Sequence, residues 1–326
     1  MNDTVLRPHS AHWGAFSAGL RDGRLVVEPH PGDPDPNGIL QNFPDALRHR
    51  ARIARPMVRR GWLEHGPGAD PARGRDDYVA LPWDEVLDRL AAELQRVGEA
   101  HGPSGIFGGS YGWSSAGRFH HAQSQVHRFL NTVMGGYVRS VNSYSAGASS
   151  VIMPHICGTV EQVGRHNVTW EQVAGHSELV LAFGGMALKN SMVGGGGVSR
   201  HVERGAMREA AARGCRFVLI GPLRDDLPEE ARAEWIAIRP NTDTALMLAL
   251  CWVLLEEGLY DRAFVARYTA GFDRFAAYLR STPCTPDWAA AITGVPAATI
   301  TVLARSLPGK RSLIAIAHGL QRAEFG

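Results

Sequence analysis

Four short apolar runs, SELVLAFGG, CRFVLIGP, EWIAIRP and SLIAIAHG, constrain this chain more than any other feature in it. A strand that is apolar on successive residues has to be covered on both faces, as happens in a parallel sheet whose strands are joined by helices. Helical stretches do lie between the runs. They are the loop and helix of KNSMVGGGGVSRHVERGAMREAAARG, then TALMLALCWVLLEEG stopped at Gly258, YDRAFVARYT, FDRFAAYLR, and PAATITVLARSL with Pro296 at its start. The expected fold class is therefore α/β, with a parallel doubly wound domain of the nucleotide-binding kind over residues 166–326.

The preceding sequence is less regular. Residues 1–55 are rich in Pro, Gly, Arg and His, and RLVVEPH is the one strand expected there, so this segment reads as a cover. Residues 56–165 form a second α/β segment, giving an irregular α+β region ahead of the sheet. WDEVLDRLAAELQRVGEAHG carries Val86, Leu87, Leu90, Leu94 and Val97 near helical spacing and ends at Gly102. SGIFGGS is expected as a short strand, and RFHHAQSQVHRFLNTVMGG as a helix ending at Gly135 and Gly136. ASSVIMPHICGTVEQVG is expected to be partly helical, interrupted at Pro154.

Composition narrows the function. A chain of 326 residues with 44% hydrophobic content can bury two sizeable cores. With 34 basic and 32 acidic residues, a net charge of +2 gives no reason to expect nucleic acid or an anionic membrane as partner. Cys157, Cys215, Cys251 and Cys284 are far apart and form no CxxC pair, so reduced thiols are expected rather than a zinc or iron-sulfur framework. The N-terminus shows no export signal, and ALMLALCWVLL at 245–255 is too short to span a bilayer, so a cytoplasmic location is expected.

A doubly wound sheet binds ligands at the carboxyl ends of its strands. The residues there include Gly184, Lys189 and Asn190 after the first run, Gly221, Pro222 and Arg224 after the second, and Asn241 and Asp243 after the third. Glycines let backbone N–H groups approach a phosphate, and the Lys and Arg add positive charge. Asp243 could accept hydrogen bonds from the donor edge of guanine, or could serve only as a first-turn helix carboxylate. No GxGxxG fingerprint follows the first strand, which disfavours a nicotinamide dehydrogenase.

Residues 108–147 are unusual in another way. GGSYGWSSAG sets Tyr111 and Trp113 among glycines, and VNSYSAG presents Ser143, Tyr144 and Ser145 before Gly147. Both stretches read either as ordinary surface turns or as walls of a site.

Taken together, RPMVRRGWL (55–63), GSYGWSSAG (109–117), SYSAG (143–147), IMPHICGT (152–159), IRPNTDTALML (238–248) and GFDRFAAYL (271–279) resemble the molybdopterin oxidoreductases of the dimethyl sulfoxide reductase family, and within it the biotin sulfoxide reductases. The resemblance implies a bis(molybdopterin guanine dinucleotide) molybdenum cofactor, no iron-sulfur cluster, and a serine oxygen as the protein's ligand to the metal, which falls on Ser145. It implies oxygen-atom transfer from a small sulfoxide or N-oxide, with electrons from a donor that the sequence does not identify. Trp113 would donate its indole N–H at the site and Tyr111 its phenol to the substrate oxygen, the latter favouring sulfoxides; the alternative for both is aromatic packing.

Two departures stand out. Many relatives carry Gly-Asp-Tyr-Ser where this chain has Asn142, Ser143, Tyr144 and Ser145, and GGGG at 194–197 replaces a bulkier stretch. Family enzymes are also about twice as long, so the chain is expected to be the N-terminal portion of an incomplete multi-domain molybdoenzyme, unable alone to hold both pterins or to turn over.

Overall fold

Three antiparallel strands open the chain: β1 (Arg7–Ala11), β2 (Gly14–Arg21) and β3 (Arg24–Pro29), paired in that order. In this computed structural model, residues 5–110, 112, 115, 121–141, 143–159, 167–194 and 200–325 are described. The β2–β3 hairpin turns on Asp22 and Gly23, both with positive φ (52° and 73°), the geometry that matches the twist of a two-residue hairpin. Only β3 was expected from the sequence. The polar and glycine-containing RPHSA and GAFSAGLR lack the apolar alternation that marks a strand. Phe16 is buried from β2 and stacks on Phe43, ring centroids 5.1 Å apart.

By its internal packing the chain divides into two compact units, Met1–Pro31, Pro36–Val141 and Gly194–Ser199 against Gly32–Asp35, Asn142–Val193 and Arg200–Gly326. The first also contains the short pair β4 (Met57–Arg59) and β5 (Tyr78–Ala80) and two longer helices. The Trp83–His101 helix stops at Gly102 and the Ala122–Met134 helix at Gly135, each glycine with positive φ, as the sequence led one to expect. SGIFGGS, however, is not a strand. It forms a single parallel bridge, Phe107 to Val138. Its two backbone bonds are Gly108 N–H to the Val138 carbonyl at 2.9 Å and Val138 N–H to the Ile106 carbonyl at 2.8 Å, and Gly108 sits so close to Leu130 and Tyr137 that a Cβ there would lie 2.5 Å and 2.6 Å from them.

The second unit holds the parallel sheet. Strands β6 (Leu179–Phe183), β7 (Arg216–Ile220), β8 (Glu234–Ile236) and β9 (Ser312–Ile316) lie in the order β8-β7-β6-β9, all parallel. Alternation divides the central strands between two cores. Leu179, Leu181, Phe183, Val218 and Ile220 pack with the helices Asp243–Glu256, Pro286–Thr293 and Ala297–Arg305. Val180, Ala182, Phe217 and Leu219 pack on the other face with Trp170–His176 and Glu203–Ala212. Helices on both faces of a parallel sheet are the arrangement the apolar runs required. The Pro286–Thr293 helix was not anticipated, although its ends are signalled: the Thr285 hydroxyl caps Trp288 N–H, Pro286 opens it, and Gly294 closes it in the left-handed region.

Pro154 does not interrupt the Gly147–Cys157 helix, contrary to expectation. The helix continues through it, and Gly158 N–H still bonds the Pro154 carbonyl at 3.2 Å. Proline removes one donor, the bond back to Ser150, and this short helix tolerates that loss. The buried His201 ties the short piece Gly32–Asp35 to the second unit, its Nδ1 lying 2.7 Å from Asp33 and its backbone N–H donating to the same carboxylate at 3.1 Å. Among the described residues no helix is long and apolar enough to cross a membrane. The four thiols are free, Cys215 and Cys284 buried and the other two half-buried.

Candidate metal and nucleotide site

Strand order fixes where a ligand can enter the second unit. β6, β7 and β8 run outward in one direction, and β9 returns to the opposite side of β6, so the topological switch point lies between the carboxyl ends of β6 and β9. The two exits are joined there, Ala317 N–H donating to the Phe183 carbonyl at 2.9 Å. Gly184, with φ of 74°, turns the chain away from β6 directly beneath the segment that leaves β9. A Cβ at Gly184 would lie 2.6 Å from Leu320 Cδ1 and 2.8 Å from Ala317 Cβ. Only glycine allows both the left-handed turn and this approach.

The same segment holds the Ser145 turn. Gln321 donates from Nε2 to the Ser145 carbonyl at 2.9 Å, and Arg322 donates from Nε to that oxygen at 3.0 Å. The Ser145 side chain is exposed, and its hydroxyl makes no hydrogen bond among the described residues. Its backbone is thus fixed while its oxygen is left available, which is the reverse of a serine serving as a backbone cap. Beside it lies a cavity of about 910 Å³, walled by Tyr144, Ala148, Val151 and Ile152 and by the two clamping residues. That volume is within the range of small-molecule and cofactor sites. No carboxylate pairs with Arg322 among the described residues, so its positive charge faces the turn uncompensated and favours an anionic oxygen there.

The other anticipated residues fall into two groups. Gly184 and Gly221 come together at the ends of β6 and β7, where a Cβ on Gly221 would sit 3.9 Å from Gly184 Cα. Trp235 Nε1 donates to the Gly221 carbonyl at 2.9 Å, which leaves the exit of β7 well defined. Lys189 is exposed, its ammonium 3.6 Å from Asp226, and Asn190 is exposed on the same turn of helix. Pro222 and Arg224 are exposed after β7, and Arg224 has no ion pair among the described residues. Asn241 lies apart from these. It takes a left-handed conformation, φ 64°, and lines a cavity of about 360 Å³ with Thr242, Trp288 and Phe325. Asp243 follows as the first residue of its helix, only 5% exposed. Burial raises its carboxyl above the ordinary aspartate range, and its own backbone N–H opposes that rise. Tyr111 and Trp113 lie outside the described residues.

Gln321 and Arg322 were not identified from the sequence. The signal was present: they follow the fourth apolar run, just as the anticipated residues follow the first three. Among the described residues no three His, Cys, Asp or Glu side chains gather as a metal cluster, and the exposed Ser145 hydroxyl is an oxygen donor at this turn. A deprotonated oxygen is a hard ligand suited to a hard, high-valent metal. The free hydroxyl, the adjacent cavity and the glycine exits at the switch point together fit a metal-pterin group carrying a nucleotide.

The sequence pattern of the molybdopterin oxidoreductase family matches residues 52–326, and that of the molybdopterin oxidoreductase N-terminal domain matches residues 9–48. The chain is 40% identical, over its full length, to the dimethyl sulfoxide/trimethylamine N-oxide reductase of Rhodobacter capsulatus, of which it covers 40%. It is 41% identical, over 93% of its length, to the biotin sulfoxide reductase of Cereibacter sphaeroides, of which it covers 41%. The chain therefore spans about two-fifths of the length of these relatives. In fold it is similar to the acetylene hydratase of Pelobacter acetylenicus, with a TM-score of 0.61 at 20% identity, covering 97% of this chain and 40% of that one.

Proposed function

The chain belongs to the molybdopterin oxidoreductase family, near the dimethyl sulfoxide and biotin sulfoxide reductases, and on that premise we propose that it carries the metal-ligand turn and nucleotide-binding edge of a reductase that removes oxygen from small S-oxides or N-oxides. A molybdenum-pterin cofactor follows from the family; its guanine dinucleotide form, bound as a pair, is part of the proposal. The observation that carries the reading is Ser145, whose carbonyl is clamped from two sides while its hydroxyl stays unbonded beside a cavity.

When bound, the molybdenum-pterin group supplies a centre that takes up the oxygen atom and is restored by two electrons and two protons, the oxygen leaving as water. The chain's residues bind and orient. Ser145 would provide its hydroxyl oxygen as ligand, and the Arg322 charge, held on the carbonyl of the same residue, would favour the deprotonated form. Gly184 and Gly221 turn the chain at the strand ends with their own N–H groups held by the Ile220 and Ile236 carbonyls, so the phosphates would be met by the charge of Lys189 and Arg224, and Asn241 and Asp243 would provide polar groups for the nucleotide base. By the family resemblance, Trp113 would donate its indole N–H at the site and Tyr111 would offer its phenol to the substrate oxygen, an interaction worth about 1–3 kcal/mol in a dry site.

Metal and nucleotide analysis of the protein made in cells that synthesise the cofactor tests the reading. Guanine nucleotide with molybdenum is expected to co-purify with the chain, and turnover of dimethyl sulfoxide, biotin sulfoxide or trimethylamine N-oxide is expected of a protein of the relatives' full length, not of these residues alone. Guanine nucleotide without turnover at that length would reduce the role of this chain to binding the cofactor, and the absence of both would refute the proposal.

A further inference from the structure

We propose that Gln321 is a positioning residue for the site, holding the Ser145 oxygen in place by gripping both ends of the 145–149 turn with one side-chain amide. This rests on the reading of Ser145 as the metal's ligand. The Gly147–Cys157 helix begins without a cap, since Ala146 has no side-chain acceptor to offer the free N–H groups of the first turn. Gln321 supplies it from 172 residues away, its Oε1 accepting the Ser149 N–H at 3.2 Å. That is the role an N-cap side chain ordinarily plays from the adjacent position. The amide nitrogen of the same side chain donates to the Ser145 carbonyl at 2.9 Å and to the His318 carbonyl at 3.2 Å.

The chemistry requires an amide. Two carbonyl oxygens face one end of the side chain and one N–H faces the other, so a carboxylate would set oxygen against oxygen, and an apolar side chain would satisfy none of the three. Arg322 also reaches the Ser145 carbonyl but makes no bond to Ser149. Gln321 alone therefore couples the position of the ligand residue to the start of its helix and, through His318, to the exit of β9. A turn held only by Arg322 could rotate about that one bond and move the hydroxyl relative to the metal.

Two substitutions separate these bonds. Gln321→Glu keeps the acceptor for Ser149 and loses the donor for Ser145; Gln321→Met loses both. Hydrogen exchange at the Ser149 amide, measured on the protein without cofactor, is expected to quicken about five- to tenfold in Gln321→Met and to stay near the parent value in Gln321→Glu. In the cofactor-loaded protein both variants are expected to shift the molybdenum electron paramagnetic resonance signal and the visible absorption bands, with the metal-to-protein ratio unchanged. A residue needed only for folding would change the amount of loaded protein, not the spectrum of each loaded molecule. The inference is overturned if the spectra of both variants match the parent while Ser145→Ala alters them, or if Ser149 exchange in Gln321→Met equals the parent's. If Ser145→Ala itself leaves the spectrum unchanged, the ligand reading fails and this inference fails with it. The exchange measurement needs no cofactor, so a variant that does not load still tests the grip on Ser149.

Discussion

Two turns at the same edge of the parallel sheet are held in opposite ways. The turn after β6 is fixed by backbone: Gly184 N–H to the Ile220 carbonyl at 2.8 Å, and Met186 N–H to the Asp226 carbonyl at 2.7 Å. The turn carrying Ser145 is fixed by two side chains, Gln321 and Arg322, bonding to one carbonyl. A backbone-held turn depends on residue type chiefly where the chain needs glycine, whereas a side-chain-held turn depends on single residues far away in sequence. The first uses its N–H groups on the sheet edge and is a rigid wall; the second suits a metal ligand, whose position can be tuned by one substitution.

This contrast can be broken most forcefully at the ligand. Ser145→Ala is expected to lower turnover of the loaded enzyme by at least about 10³-fold, roughly 4 kcal/mol in the barrier, while shifting unfolding free energy by no more than about 0.5 kcal/mol. Steady-state rates and denaturant titration check both, and a retained rate would make the turn an ordinary loop. The backbone-held side answers to core packing. Leu181→Ala, on the central strand, should cost about 3 kcal/mol in urea unfolding.

Smaller effects sharpen the comparison. Gly185→Ala places a side chain at φ of 85° with its Cβ 2.7 Å from the Asp226 carbonyl oxygen, and is expected to cost about 1–3 kcal/mol, visible as a lower Tm. The smallest effect concerns Asp243. Its carboxyl is raised by burial, so the folded state holds its proton more tightly than the unfolded state. The stability linked to it is complete below the ordinary aspartate value and is lost as pH rises through the raised folded value. Asp243→Asn should therefore be more stable than the parent at neutral pH, with the difference closing as pH falls through the aspartate range. A difference independent of pH would show that burial of charge is not its source.

Much of the sheet was legible because β6 and β7 are apolar on nearly every residue, a pattern that burial on both faces demands; β9 is as apolar, although its Ile314 and Ile316 are exposed. The site was legible only in part. Ser145 could be singled out through a resemblance in its local sequence, but its attachment to Gln321 and Arg322 links residues 176 and 177 positions apart. A single side-chain contact of that span leaves no periodic trace. SGIFGGS misled for a related reason: its apolar centre suggests a strand, yet the approach of Leu130 to Gly108 is set by a helix some twenty residues later, and that of Tyr137 by the segment after it. Pro154 misled because sequence rules weigh the lost hydrogen bond without knowing that the rest of the helix remains in place.

The segment that leaves β9 crosses the carboxyl edge of the sheet. Leu320 covers Gly184, Gln321 and Arg322 meet Ser145, and Phe325 lies beside Asn241 and Trp288. This imposes an order of assembly during synthesis. β6, β7 and β8 can pair as they emerge, but the central strand keeps one open edge until β9 follows some 130 residues later, and the Ser145 turn has no clamp until residues 321 and 322 arrive. The exits of β6 and β7 therefore precede the Ser145 turn, leaving a period in which the switch point is open on the side that β9 will close.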